Sequence, residues 1–202
     1  MNDIEQKTAD WVNLPLGIEP ISLWCSLHDA PLLSANSDLL ARTVTLHFDT
    51  YYLRSFHNLG EGITFSFLLK GVQSVRVFRW SVWPGDFRLP PAIGHWEEYQ
   101  KKEAEFRKLW RQESESWGTF QSSVNSDEDA EITEGEVAIG VGVSTVRLGV
   151  QMGEGEWYEV FVRAEGLSIF RSDQQEVAIS EFLSLGHAYW EAFDNRGKNS
   201  KA

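Results

Sequence analysis

The chain has 202 residues, a formal net charge of −12, nine tryptophans and a single cysteine, Cys25. Its length suits one domain with a sizeable hydrophobic core. The negative charge repels nucleic-acid phosphates and anionic lipid headgroups, which argues against a nucleic-acid-binding or membrane-bound protein. A lone cysteine excludes an intramolecular disulfide.

Targeting segments are not evident in the sequence. The first ten residues lack the basic start and apolar run of a secretory signal, and no stretch reaches the roughly 18 apolar residues that span a bilayer. We therefore expect a cytoplasmic protein. The predicted single domain covers residues 1–196, and a polar, disordered tail is predicted at 197–202.

The N-terminal part of the chain is predicted to be β-structure. Val44, Leu46 and Phe48 alternate with polar residues, which is the period of a half-buried strand. Residues 30–37 are predicted to pair with this strand as a hairpin through 38–41. Further strands are predicted at 63–69 and 74–80.

A long central helix is predicted over residues 94–117. Its aromatic residues recur at steps of three, four and seven, as on one face of a helix of about six turns: Trp96, Tyr99, Phe106, Trp110 and Trp117. An acidic loop is predicted to follow at 125–136. The helix and the loop would form an insertion at about 81–136 between two β halves.

The C-terminal part is predicted to return to β-structure and to end in a helix. Strands are predicted at 137–150, and residues 157–163 and 167–171 are predicted to form a hairpin. Asp173 and Glu176 resemble a capping box and predict a helix after them, with an inward face made of Ile179, Phe182, Leu183, Trp190 and Phe193. The predicted fold class is α+β: a mainly antiparallel sheet, curled or a sandwich, with both helices packed on it.

A weak family resemblance covers roughly residues 24–80. The segments that carry it are Leu27-His28-Asp29-Ala30, Thr43-Val44-Thr45-Leu46, Ile63-Thr64-Phe65 and Gly71-Val72. Together they resemble small bacterial β-rich domains with an HDA-type start, some of which are polymorphic-toxin immunity proteins. The resemblance implies a binding domain without catalytic residues.

His28 and Asp29 are the first candidate site. Adjacent His and Asp side chains can supply metal ligands or an acid–base pair, and Cys25 lies close by in sequence. On a strand, however, neighbouring side chains point to opposite faces, and no further ligands stand at a suitable spacing. Cysteine is also most often an inert core residue. We predict no catalytic, cofactor-binding or metal-binding residues, and we keep a hydrolase or metal enzyme around these three residues as an alternative.

The acidic loop nearly matches a calcium-binding template. Its candidate ligands occupy template positions 1, 3, 5, 7 and 12: Asn125, Asp127, Asp129, Glu131 and Glu136. The glycine that the sharp turn needs at position 6 is replaced by Ala130. The sequence therefore favours a solvated acidic loop, and Asp127 and Asp129 are candidates for binding a partner.

One tryptophan is predicted to be exposed. Trp83 precedes the turn signal Pro84-Gly85 and lies near Phe87. Together with Tyr51 and Tyr52, these rings could form a surface for a ligand or partner.

The leading functional hypothesis is a non-enzymatic, immunity-type interaction domain whose acidic surface engages a protein partner, with a basic partner among the options. The candidate binding residues are Trp83, Phe87, His28, Asp29, Asp127 and Asp129. The alternative is a small-molecule binder with an apolar ligand in an aromatic-lined β cavity. No cofactor is expected in the leading hypothesis.

Overall fold

The structure is a computed structural model that describes residues 18–81, 101, 111–126, 129–153 and 156–199. We label its helices α1 (Trp24–Leu27), α2 (Tyr51–His57), α3 (Trp117–Ser126) and α4 (Ile179–Asn199). The strands are β1 (Ile21–Ser22), β2 (Ala30–Asp38), β3 (Thr43–Phe48), β4 (Phe65–Lys70), β5 (Ser74–Ser81), β6 (Arg111–Glu115), β7 (Glu131–Gly140), β8 (Val143–Met152), β9 (Glu156–Ala164), β10 (Gly166–Arg171) and β11 (Glu176–Val177).

The described strands form one antiparallel sheet in the order β11-β10-β4-β3-β2-β7-β8-β9-β5-β6, and β1 pairs with β7. The prediction of an α+β fold with a mainly antiparallel sheet and a C-terminal helix is therefore confirmed. The predicted β2–β3 hairpin is also present, with Asp38 opposite Thr43. The Asp38 carboxylate closes its turn by accepting the N–H groups of Leu40 and Ala41, each at 2.9 Å.

The sheet bends at a corner where β4 continues into β5 and β9 continues into β10. Lys70 pairs with Gly166 on one side of the corner, and Ser74 pairs with Arg163 on the other. The hairpin predicted between residues 157–163 and 167–171 is therefore wrong. These strands lie end to end, because Glu165 donates its N–H to the carbonyl of Lys70 across the corner instead of reversing the chain.

The hydrophobic core lies between the two halves of the bent sheet, with α4 against one end. Alternate side chains of β4 and β8 enter this core, as the period of a strand requires. Phe67 shows the packing: its ring lies 5.0 Å from that of Phe48 and 5.7 Å from that of Phe182, and all three side chains are fully buried. Each such side chain stabilises the fold by roughly 1.5–3 kcal/mol.

The prediction of a long helix over 94–117 is wrong for the last turns of that helix. Residues 111–115 form β6, which pairs with β5 through five residue pairs, and α3 begins only at Trp117. Tertiary pairing with β5 overrides the aromatic spacing, and Ser116 then starts a new helix by accepting the N–H of Thr119 at 3.0 Å. Residues 94–100 and 102–110 lie outside the described residues.

The predicted acidic loop and capping box also need correction. Asn125 belongs to α3, and residues 131–136 belong to β7, which lies between β2 and β8 because its own apolar residues enter the core. Helix α4 begins at Ile179 rather than after Asp173. The Asp173 carboxylate instead accepts from the guanidinium of Arg171 at 2.8 Å and closes a turn before β11. Among the described helices, none is long and apolar enough to cross a membrane.

Candidate functional site

Helices α1 and α4 pack together unusually closely. Ser26 donates its hydroxyl to the carbonyl of Phe182 at 2.9 Å, and Trp190 donates its indole N–H to the carbonyl of Cys25 at 3.0 Å. Between these contacts lies Gly186, where a Cβ atom would approach the Ser26 hydroxyl to 2.5 Å and the Cys25 backbone as closely. Glycine is therefore required at the crossing, and α1 is held in one position on α4.

Three rings meet where α1 and α4 touch. Trp24 stacks on His28 with their ring centroids 4.6 Å apart, and the ring of Trp190 lies 5.0 Å from that of Trp24. His28 and Trp190 complete the triangle at 6.1 Å. Trp24 is 43% exposed, so part of its indole remains accessible to solvent although it contacts His28 and Trp190.

The exposed rings extend in both directions from this triangle. Phe193 lies 5.7 Å from Trp190 and is 55% exposed, while Tyr51, half exposed, is linked to the triangle through Tyr52 and Tyr189. We call Trp24, His28, Tyr51, Trp190 and Phe193 the aromatic surface. Exposed aromatic rings grouped in this way are typical of interaction sites.

Negative charge borders the aromatic surface. The Asp29 carboxylate lies 3.4 Å from Nδ1 of His28 and is 61% exposed. Asp29 adopts a left-handed backbone conformation with φ of 57°, and its N–H donates to the carbonyl of Ile132 at 2.9 Å. The exposed Glu131 is opposite Pro31 on the neighbouring strand, and the exposed Asp194 lies one helical turn beyond Trp190 on the same side of α4.

A buried phenol lies beneath the aromatic surface. The Tyr52 side chain is 7% exposed, and its hydroxyl makes no hydrogen bond to the described residues. Burial raises the pKa of Tyr52 far above its ordinary value, and the negative charge of Asp29 raises it further. The phenol therefore stays protonated.

The structure brings His28 and Asp29 together but gives Cys25 a different environment. The Cys25 thiol is buried and contacts the carbonyl of Leu183 at 3.8 Å and the hydroxyl of Ser26 at 3.7 Å. The Cys25 thiol is thus directed at α4 and not at the imidazole of His28. Within the part of the chain that the structure describes, no group of three or more His, Cys, Asp or Glu side chains is placed to hold a metal ion.

The other candidate residues from the sequence do not converge on this surface. Trp83, Phe87 and Asp127 lie outside the described residues. Asn125, the first residue of the calcium-binding template, accepts the N–H of Ala35 at 3.1 Å from within α3. The exposed Asp129 lies at the start of the acidic segment that leads into β7.

Sequence reasoning missed most of the aromatic surface. The sequence pattern does not distinguish Trp24 from the other tryptophans, and Phe193, predicted to face the core, is 55% exposed. Two signals were available. Trp24 and His28 stand four residues apart, and Phe182, Gly186 and Trp190 repeat at the same spacing, which places each set on one helix face.

A second charged cluster lies on the face of the sheet away from the core. Arg147 of β8 contacts carboxylates on both neighbouring strands: Glu159 at 2.7 Å, Glu134 at 2.8 Å and Glu136 at 3.4 Å. The Glu159 side chain is fully buried and Arg147 is 13% exposed. One guanidinium serving three carboxylates ties β7, β8 and β9 together, so we interpret this cluster as structural.

A surface depression of about 440 Å³ lies at the end of α2. Its lining residues are Arg54, Ser55, Asn58, Gly60 and Glu61. No aromatic residue is among them, so this depression is not the aromatic-lined cavity that the small-molecule alternative requires.

Comparisons of the chain with protein-family models, with curated proteins and with solved structures find no match. The geometry of the aromatic surface is therefore the basis for a functional assignment.

Proposed function

We propose that this chain is a non-enzymatic interaction domain that binds a protein partner through the aromatic surface. The observation that carries the proposal is the set of rings on α1, α2 and α4 that are linked by ring contacts, with Trp24, Tyr51 and Phe193 each 43–55% exposed. Tryptophan and tyrosine are enriched at the centres of protein interfaces, because they offer large rigid contact areas at a small entropic cost.

The acidic character of the chain belongs to the same proposal. The formal net charge is −12, and exposed carboxylates lie beside the rings at Asp29 and one helical turn from Trp190 at Asp194. Complementary charge accelerates association and rejects unsuitable partners, so a partner with a basic surface fits best. An immunity-type role, as in some of the domains that residues 24–80 resemble, is one form of such binding.

A selection from a random twelve-residue peptide display library tests this function. The immobilised protein is the target, and a Trp24→Ala variant with an unchanged unfolding transition removes peptides that bind elsewhere. We expect enrichment of peptides that bind the parent protein and bind Trp24→Ala at least about tenfold more weakly, a loss of roughly 1.4 kcal/mol, as for a residue in a binding hot spot.

The exposed Leu40, at the tip of the β2–β3 hairpin, provides a matched control. Leu40→Ala also removes exposed apolar surface, and it should retain binding of the selected peptides. The proposal fails if no peptide depends on Trp24, or if Leu40→Ala weakens binding as much as Trp24→Ala does.

A further inference from the structure

We propose, on the basis of the function above, that the aromatic surface binds a guanidinium group, so that an arginine side chain of the partner is its specific ligand. Trp24 supplies the platform. His28 stacks on its indole at an angle of 22° between the ring planes, and Trp24 is still 43% exposed to a ligand. A planar, weakly hydrated guanidinium stacks well on an exposed indole.

Asp29 supplies the carboxylate that a guanidinium requires. Its position is fixed by the backbone bond to Ile132 and by the left-handed φ of 57°, which turns the chain sharply after α1. The Asp29 side chain remains 61% exposed beside His28, and Asp29 follows Trp24 by five residues in the sequence. A carboxylate can accept two parallel N–H groups from one guanidinium, so stacking and pairing can occur together.

The surrounding charge favours a cation as the occupant. Asp194 extends from the same side of α4 as Trp190, and Glu131 follows on the neighbouring strand, both exposed. An ammonium group would profit from this charge too, but it is compact, strongly hydrated and unable to stack as a plane. The combination of a partly exposed indole with a fixed carboxylate therefore favours arginine over lysine.

Titration with single-residue probes tests this assignment. N-acetyl-arginine amide, the corresponding lysine amide and the neutral citrulline amide are added separately at constant ionic strength, and the tryptophan indole N–H signals are followed by NMR. The Trp24 signal is assigned from its loss in Trp24→Leu. We expect the arginine probe to shift this signal, the lysine probe to bind about two- to fivefold more weakly, and citrulline to produce no shift.

Two charge variants complete the design. Asp29→Asn should weaken arginine binding by about fivefold or more. Glu176→Gln removes one exposed carboxylate from β11, the strand at one end of the sheet order, and it should leave binding unchanged. Unshifted signals of the tryptophans outside the aromatic surface will show that each variant is folded.

The guanidinium assignment is overturned if arginine does not shift the Trp24 signal, if lysine binds equally well, or if both charge variants act alike. Failure of the guanidinium assignment can be distinguished from failure of the proposed function. Selected peptides that depend on Trp24 but lack arginine would retain the interaction domain and reject only this ligand, whereas a selection without Trp24-dependent peptides would reject the interaction domain itself.

Discussion

The sheet core and the aromatic surface contain ring pairs at the same distance, but the rings in the two regions differ in their exposure to solvent. The ring centroids of Phe48 and Phe67 lie 5.0 Å apart in the core, and those of Trp24 and Trp190 lie 5.0 Å apart on the surface. The two phenylalanines are fully buried, but Trp24 is 43% exposed. Ring-to-ring distance therefore does not indicate what a residue contributes, because the stabilisation comes mainly from the apolar area removed from water.

The largest expected difference is in the free energy of unfolding after truncation of one ring in each region. Phe67→Ala empties a fully buried position and should cost about 3–5 kcal/mol. Phe193→Ala removes a ring that is 55% exposed and should cost less than about 1 kcal/mol. Urea denaturation measures both values, and equal losses would show that the surface rings are part of the core.

The same contrast applies to ion pairs. Arg147→Met removes the guanidinium that neutralises the fully buried Glu159, and we expect a loss of about 3 kcal/mol or more. Arg42→Met breaks a pair with Glu165 in which both side chains are more than half exposed, and it should cost less than about 1 kcal/mol. A small effect of Arg147→Met on the unfolding transition would contradict the structural role of its cluster.

The position of α1 on α4 is tested at Gly186. Gly186→Ala places a methyl group against the backbone of Cys25 and should destabilise the protein by about 1–3 kcal/mol. Gly118→Ala, in α3, meets only the Ser116 hydroxyl at 3.9 Å and should stabilise it by roughly 0.5–1 kcal/mol. Thermal unfolding of the two variants should therefore shift in opposite directions, and an unchanged Gly186→Ala would show that α1 is not held closely.

The smallest expected effect is on the pH dependence of stability. His47 contacts the hydroxyls of Thr64 and Ser66, and burial lowers its pKa below the ordinary 6.5, partly offset by Asp49. The fold thus favours neutral His47, so this contribution to stability is complete above pH 6.5 and is lost as the pH falls through the lowered pKa.

His47→Gln keeps a hydrogen-bonding side chain but does not titrate. The free energy of unfolding of this variant should decrease less than that of the parent protein between about pH 7.5 and pH 5. Urea denaturation at several pH values measures the two slopes, and parallel slopes would reject the assignment to His47.

Local patterns in the sequence predict much of the fold but little of the site. The alternating pattern of the β2–β3 hairpin and the apolar spacing of α4 are set by residues that lie close together in the sequence. The hairpin and the helix were therefore predictable. The strand β6 was not, because it depends on pairing with β5 about 30 residues earlier. The aromatic surface depends on a tertiary crossing at Gly186, which places Trp24 beside Trp190 from the opposite end of the chain.

The most direct test of the interaction domain is the affinity of a library-selected peptide for Trp24→Ala, measured on protein whose unfolding midpoint is known. We expect the affinity to fall at least about tenfold while the free energy of unfolding stays within about 1 kcal/mol of the parent value. The opposite result would be a loss of stability as large as that of Phe67→Ala with an unchanged affinity of the folded protein. The rings of the aromatic surface would then contribute to packing and not to binding, which contradicts the proposed interaction domain.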